Sequence, residues 1–343
     1  MEEILKLQQK IVPELIELLE KRYNILRTIY YNQPVGRRIL ANNLELGERI
    51  VRTEINFLKS VNLIEVGTPG MTVTPEGEKI IDKLKSFIHE IKGLSDIETV
   101  IKEKLSVKDV IIVPGDMEED KTVMKELGRA AANYVKSVIK NNDIIALTGG
   151  STIKEVIDNM PRINNVHNIL VVPARGGMGK QVEIQSNTLA ANLAHKVNGN
   201  YKMLHVPDNL SDRALDTMLN ETDIKDIIEN IKKANVLIYG IGRADEMARR
   251  RGVTTERIRE LISIGTVGEA FGCYFNRKGE VVYSTPTVGI NNNDIRKIDY
   301  PVAVAGGKNK AEAIVATEKG NARGVLITDE SAAREILSIV KDE

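Results

Sequence analysis

From residue 109 to the end of the chain, runs of Val, Ile, Leu and Ala alternate with helical stretches, and most runs stop at a glycine turn. They read VIIVPGD (110–116), DIIALTGGST (143–152), NILVVPARGG (168–177), NVLIYGIG (235–242), PVAVAGGK (301–308) and GVLITD (324–329). A strand without polar residues at alternate positions is buried on both faces. Strands of this kind separated by helices predict a Rossmann-like α/β domain over 109–343, a parallel sheet with helices on both faces. Such sheets bind ligands outside the carboxyl ends of their strands. The glycine turns sit at those ends, so one cleft is expected there.

Residues 1–93 follow another pattern, helices with one short hairpin, and the polar stretch 94–108 reads as a linker. Leu18, Leu19, Ile25, Leu26 and Ile29 give 15–31 an apolar helical face. Pro34 stops that helix, because proline lacks an N–H and keeps its predecessor out of the helical region. A short helix (36–43) and a turn lead into a third helix, 47–60, whose buried stripe is Val51, Ile55 and Leu58. Arg49, Arg52, Thr53 and Asn56 share another face of it. NLIEV and MTVT flank the turn Gly67-Thr68-Pro69-Gly70, and Thr74-Pro75 opens a further helix as cap and first residue.

Helix, helix, turn, helix, hairpin is the order of a winged helix-turn-helix, whose third helix enters the major groove of double-stranded DNA. Arginine pairs with guanine there and asparagine with adenine, and this face carries both. Arg37 and Arg38, one helix earlier, suit phosphates. Charge gives no support: the chain has 48 basic and 48 acidic residues, and 1–93 holds about 14 and 13. DNA binding therefore rests on motif geometry.

Other classes are excluded by composition. Hydrophobic content of 42% with 28% charged residues fits a globular chain rather than a disordered one. The single Cys273 excludes an intramolecular disulfide and, inside an apolar run, reads as a core thiol. His89, His167, His195 and His205 lack the spacing of zinc ligands, so no metal is expected. The first residues carry acidic side chains and no small-residue cleavage site, unlike a signal peptide. No apolar run reaches the roughly 18 residues of a membrane span. A cytoplasmic protein without a cofactor or a membrane partner is expected.

The most informative turn is TGGST, Thr148 to Thr152, running into a helix. Gly149 and Gly150 let the backbone approach a ligand, and the helix start offers unpaired N–H groups and a positive dipole. Ser151 and Thr152 add hydroxyl donors, which together suit a phosphate. A plain helix cap would use the same residues. Arg175 follows a strand and precedes Gly176-Gly177, placed for a second phosphate through paired bonds. Lys310 follows AGGK at a strand end. Gln185 begins a helix and suits a hydroxyl, as does Glu269 in GTVGEAFG, whose charge would repel phosphate. Arg250 belongs to the basic run MARRRG.

In order along the chain, the winged-helix segment, TGGST, VVPARGG, YGIGRADEMARRRG, GTVGEAFG and AGGKNKAEAI resemble the SorC/DeoR-type sugar-responsive transcription regulators. The resemblance covers essentially the whole chain. It implies a DNA-binding repressor of a glycolytic operon that is released from its operator by fructose-1,6-bisphosphate. It also implies effector contacts at Gly149, Gly150, Ser151, Thr152, Arg175, Gln185, Arg250, Glu269 and Lys310. Assembly as a homodimer or homotetramer is implied too, with 80–91 as a helical contact. Two departures stand out: Ser151 occupies a position where the family's loop can carry Thr, and Gly47 replaces the usual Ser or Thr cap of the recognition helix.

Two rival functions weaken at specific residues. Sugar-phosphate isomerases and deaminases share this sort of fold and phosphate loop, but carry an Asp-Gly-His run after a GIG turn for acid/base work. This chain has Gly240-Ile241-Gly242-Arg243-Ala244-Asp245-Glu246 there, without histidine, so no enzyme is expected. A dinucleotide-binding redox sensor needs G-x-G-x-x-G, and Asp245 stands where the third glycine belongs.

Overall fold

A computed structural model of the chain describes residues 11–177, 181–207 and 211–342. The chain divides into two compact units: one runs to Asp96 and takes in Met117–Val123, and the other comprises Ile97–Asp116 and Met124–Glu343.

In the first unit, α1 (Pro13–Asn32), α2 (Arg37–Asn43) and α3 (Glu48–Ser60) follow one another as expected. Ile25, Leu26 and Ile29 of α1 are buried with Leu40 of α2 and Val51, Ile55 and Leu58 of α3. Glu54 also lies on the inner face of α3, where Lys21 Nζ and Arg22 Nε each approach its carboxylate at 2.9 Å. The Arg22 guanidinium lies 3.6 Å above the ring of Phe57. These contacts fix the rotation of α3, and with it the face it presents outward. The hairpin β1 (Ile64–Gly67) and β2 (Gly70–Val73) is antiparallel, and Val35 exchanges both backbone hydrogen bonds with Met71 (3.1 and 2.8 Å). Gly70 (φ +140°) is required there, because a Cβ would lie 2.9 Å from the Val35 backbone. The Thr74 hydroxyl accepts from Gly77 N–H at 3.1 Å and caps α4 (Pro75–Ile91), as the Thr-Pro pair predicted. Ile81 and Ile88 are buried in this unit's own core, with Ile80 and Leu84 packed against it. The apolar side of 80–91 thus serves the unit itself.

The segment expected to be a polar linker is mostly helix, α5 (Leu94–Leu105). Leu94, Ile97, Ile101 and Leu105 are buried on one side of it. A helix needs only one apolar stripe, and the charged residues that suggested a linker occupy the rest.

All six expected strands form. In chain order, with the first three residues of α6 counted in the first unit, the chain continues with β3 (Asp109–Val113), α6 (Lys121–Val138), β4 (Ile144–Leu147), α7 (Ser151–Asp158), β5 (Leu170–Pro173) and α8 (Ser186–Lys196). Next come β6 (Asn200–Tyr201), α9 (Asp212–Asn220), α10 (Thr222–Lys232), β7 (Val236–Tyr239), β8 (Gly242–Arg243), α11 (Ala244–Arg250) and α12 (Thr255–Ser263). The chain ends with β9 (Thr266–Ala270), β10 (Cys273–Asn276), β11 (Val281–Ser284), α13 (Asn292–Ile295), β12 (Tyr300–Val304), α14 (Ala311–Glu318), β13 (Val325–Asp329) and α15 (Glu330–Asp342). The main sheet has the order β3-β13-β12-β7-β4-β5-β6, and every pairing is parallel. From β4 the chain goes to β5 on one side, while β7 pairs on the other, so the strand order reverses between β4 and β7. Ligands of open α/β sheets sit at such a reversal.

A second sheet was not foreseen. Strands β11-β10-β9-β8 form an antiparallel sheet, with Tyr274 packed on Ala244, Ala248, Ile258 and Leu261 of α11 and α12. The run GTVGEAFG is β9 with its hairpin turn. Cys273 on β10 is a buried thiol, as its surroundings predicted.

Glu318 is an acid in the core, 1% exposed. Tyr239 OH donates to its Oε1 at 2.8 Å and Asn321 Nδ2 to its Oε2 at 3.1 Å. Burial pushes its carboxyl from the ordinary 4.5 up to about 7, against the pull of those two donors. The fold therefore favours the protonated form. The associated stability is fully present below pH 4.5 and is lost as pH rises through about 7. The loss is of order 3 kcal/mol. Urea unfolding at pH 5 and pH 8 should show this decline in the native chain, and a shallower one in Glu318→Gln.

Candidate functional site

At the reversal between β4 and β7 the second unit encloses a cavity of about 430 Å³. Its floor begins with the TGGST turn. Thr148 N–H donates to Ile238 O at 3.0 Å and joins the ends of β4 and β7. Gly149 lets the 184–186 segment approach, since a Cβ there would lie 2.6 Å from Ile184 O. Gly150, at φ +124°, turns the chain into α7. The helix begins at Ser151, its cap is Gly150, and no side chain caps it. Ser151 and Thr152 are therefore its first two residues rather than caps, and this uncapped start lines the cavity. Thr152 is buried at 8% exposure and Ser151 is exposed.

All nine residues expected at the ligand lie along this one cavity: Gly149, Gly150, Ser151, Thr152, Arg175, Gln185, Arg250, Glu269 and Lys310. Arg175 leaves the end of β5, is 6% exposed, and pairs with the Gly289 backbone. Gln185 is the cap residue of α8, and Lys310 that of α14. Arg250 ends α11 and is exposed at the rim. Glu269 comes from β9 of the small sheet, with its side chain buried. Its Oε1 accepts from Arg251 Nη2 at 2.7 Å and from Gly272 N–H at 2.5 Å, and it lies 3.7 Å from Arg175 Nη1.

The sequence reading missed several lining residues, among them Arg251, Phe271, Glu246 and Met247. Glu246 and Met247 come from the same helix as Arg250, so the helix spacing was their only signal. The arginine chosen from the basic run was Arg250, whereas Arg251 carries the buried side chain. It spans Glu269 and Tyr274 OH, the latter at 3.1 Å. Among the described residues the cationic lining side chains are Arg175, Arg250, Arg251 and Lys310, and the acidic ones Glu246 and Glu269, a formal balance of +2. Such a lining favours a polyanion with hydroxyl groups, phosphates on the cations and helix start, hydroxyls on the carboxylate and amide. Asp245, at the point of comparison with the isomerases, is engaged by Arg243 Nε at 3.1 Å and Arg249 Nη2 at 2.9 Å, and it does not line the cavity.

In the first unit Arg49, Arg52, Thr53 and Asn56 are all exposed along α3. Thr53 Oγ1 donates to Arg49 O at 3.1 Å. Arg37 and Arg38 are exposed at the start of α2, and Arg38 Nε lies 3.8 Å from Glu48. The face expected to meet DNA is thus presented outward.

Residues 89–338 match the family described as "Putative sugar-binding domain", and residues 18–88 match the CggR N-terminal DNA binding domain. The central glycolytic genes regulator of Bacillus subtilis is 41% identical over 337 residues, covering 98% of this chain and 99% of its own. That of Priestia megaterium is 41% identical over 338 residues, with the same coverage. A solved SorC family transcriptional regulator from Enterococcus faecalis superposes with a TM-score of 0.66 at 37% identity, covering 71% of this chain and 99% of that one.

Proposed function

Because this chain belongs to the SorC-type sugar-binding transcription regulators, alongside the central glycolytic genes regulators, we propose that it represses a glycolytic operon and is released by fructose-1,6-bisphosphate. It is a regulator rather than an enzyme, with a DNA-binding and a sugar-binding domain. None of the helices among its described residues is long and apolar enough to cross a membrane. The finer reading rests on one observation above all: an uncapped helix start with the cationic side chains of Arg175, Arg250 and Lys310 around the same cavity.

In this reading the α7 start, with Ser151 and Thr152, holds one phosphate, and Arg175 and Lys310 hold the other. Glu269 and Gln185 take the sugar hydroxyls, and Arg250 closes the rim. The α3 face of Arg49, Arg52, Thr53 and Asn56 reads bases, while Arg37 holds a phosphate of the duplex. The protein acts in the cytoplasm as a homodimer or homotetramer, so that paired heads meet paired half-sites.

Calorimetric titration with fructose-1,6-bisphosphate, fructose 6-phosphate and NADH tests it. The bisphosphate should bind most tightly and NADH not at all. Thr152→Val should weaken the bisphosphate about tenfold, the cost of one hydroxyl bond to a charged group. Tight NADH binding, or no binding of either sugar phosphate, would overturn the proposal.

A further inference from the structure

The cavity contains a device that the ligand contacts alone do not explain. β9 and β10 are joined by the two residues Phe271 (φ +56°) and Gly272 (φ +77°). Positive φ at both central residues is the tight hairpin turn that matches strand twist, and phenylalanine rarely accepts it. Phe271 is nonetheless held there, its ring centroid 4.6 Å from that of Tyr239.

The turn seats the Arg175 guanidinium. A Cβ on Gly272 would lie 2.4 Å from Arg175 Nη1, 2.5 Å from Nη2 and 2.8 Å from Cζ. The glycine therefore leaves its face to the arginine. Glu269 ties the two together, accepting from Gly272 N–H while lying 3.7 Å from Arg175 Nη1. Arg251 is the brace behind them, its side chain 3% exposed and bonded to Glu269 and Tyr274 OH. It also offsets the charge of Glu269. Without it, that buried carboxylate would have Arg175 as its nearest cation and would draw it away from an anionic ligand.

We propose that the Phe271–Gly272 turn, braced by Arg251 through Glu269, is a selectivity element that sets the pose of Arg175 and so makes the site prefer a doubly phosphorylated sugar over a singly phosphorylated one. Arg251 and Gly272 are positioning residues that act through Arg175. The inference rests on the proposed sugar-phosphate site.

Calorimetry of the full chain with fructose-1,6-bisphosphate and fructose 6-phosphate reads the ratio of the two affinities. Gly272→Ala and Arg251→Gln should each lower bisphosphate affinity about tenfold, the cost of misplacing one charge-assisted contact, and shrink the ratio. Arg251→Lys should retain part of the ratio, because it keeps the charge but not the fork. In an Arg175→Ala background neither Gly272→Ala nor Arg251→Gln should cost anything further. Losses that add in that background, or single variants with the native ratio, would overturn the inference. Thermal unfolding identifies a variant that fails to fold, and the Arg251 pair then decides the matter. Wild-type chain that binds neither sugar phosphate would sink the proposed function as well, whereas wild-type binding with native-like variants would sink this inference alone.

Discussion

Arg175→Ala should raise the fructose-1,6-bisphosphate concentration for half-saturation by about 100-fold, the upper range for a bidentate bond to a charged group. Arg175 is buried at a strand end, over Gly272 and beside Glu269. Arg175→Lys should restore only part of the loss, since an ammonium cannot make the paired contact. Operator affinity without ligand should stay at the native level, because Arg175 belongs to the sugar-binding unit. Calorimetry with the bisphosphate and DNA titration of the same variant check the two halves. Near-native bisphosphate affinity would remove Arg175 from the ligand.

Arg52→Ala should do the reverse, weakening operator binding roughly 10- to 100-fold, the range for one bidentate base contact. Its side chain is exposed on α3, whose rotation is fixed by Glu54 with Lys21 and Arg22. Bisphosphate affinity should not change. Competition against random-sequence DNA separates base reading from phosphate holding: Arg52→Ala should narrow the gap between operator and random DNA, whereas Arg37→Ala should weaken both alike. Equal losses on both DNAs would make Arg52 a phosphate contact.

The two variants divide the function because a ligand can release DNA only by preferring the state that binds DNA poorly. Coupling of this kind is reciprocal, so operator DNA should weaken bisphosphate binding by the same factor.

Much of this architecture was legible in the sequence for a simple physical reason. The parallel strands are buried on both faces and read as unbroken apolar runs, and the glycine turns at their ends mark where backbone and ligand approach. Position alone therefore brings residues such as Thr152, Arg175 and Lys310 to the strand ends, where they line the same cavity. The small antiparallel sheet escaped because its strands are short and its hairpin turn is Phe-Gly, without the Asn-Gly or Asp-Gly that announces such a turn. Arg251 escaped with it, since its role depends on Glu269 and Tyr274, which only that sheet brings within reach. The helix α5 was hidden by charge: LSDIETVIKEKL carries its apolar stripe at Leu94, Ile97, Ile101 and Leu105, among polar residues that resemble a linker.

The most direct test of a sugar-phosphate-released repressor is a titration of the full chain on its operator, obtained by selection from a random DNA pool. Operator binding should weaken as fructose-1,6-bisphosphate fills the cavity, respond much less to fructose 6-phosphate, and need about 100-fold more bisphosphate for the same weakening in Arg175→Ala. An operator affinity that saturating bisphosphate leaves unmoved in the native chain would contradict the account.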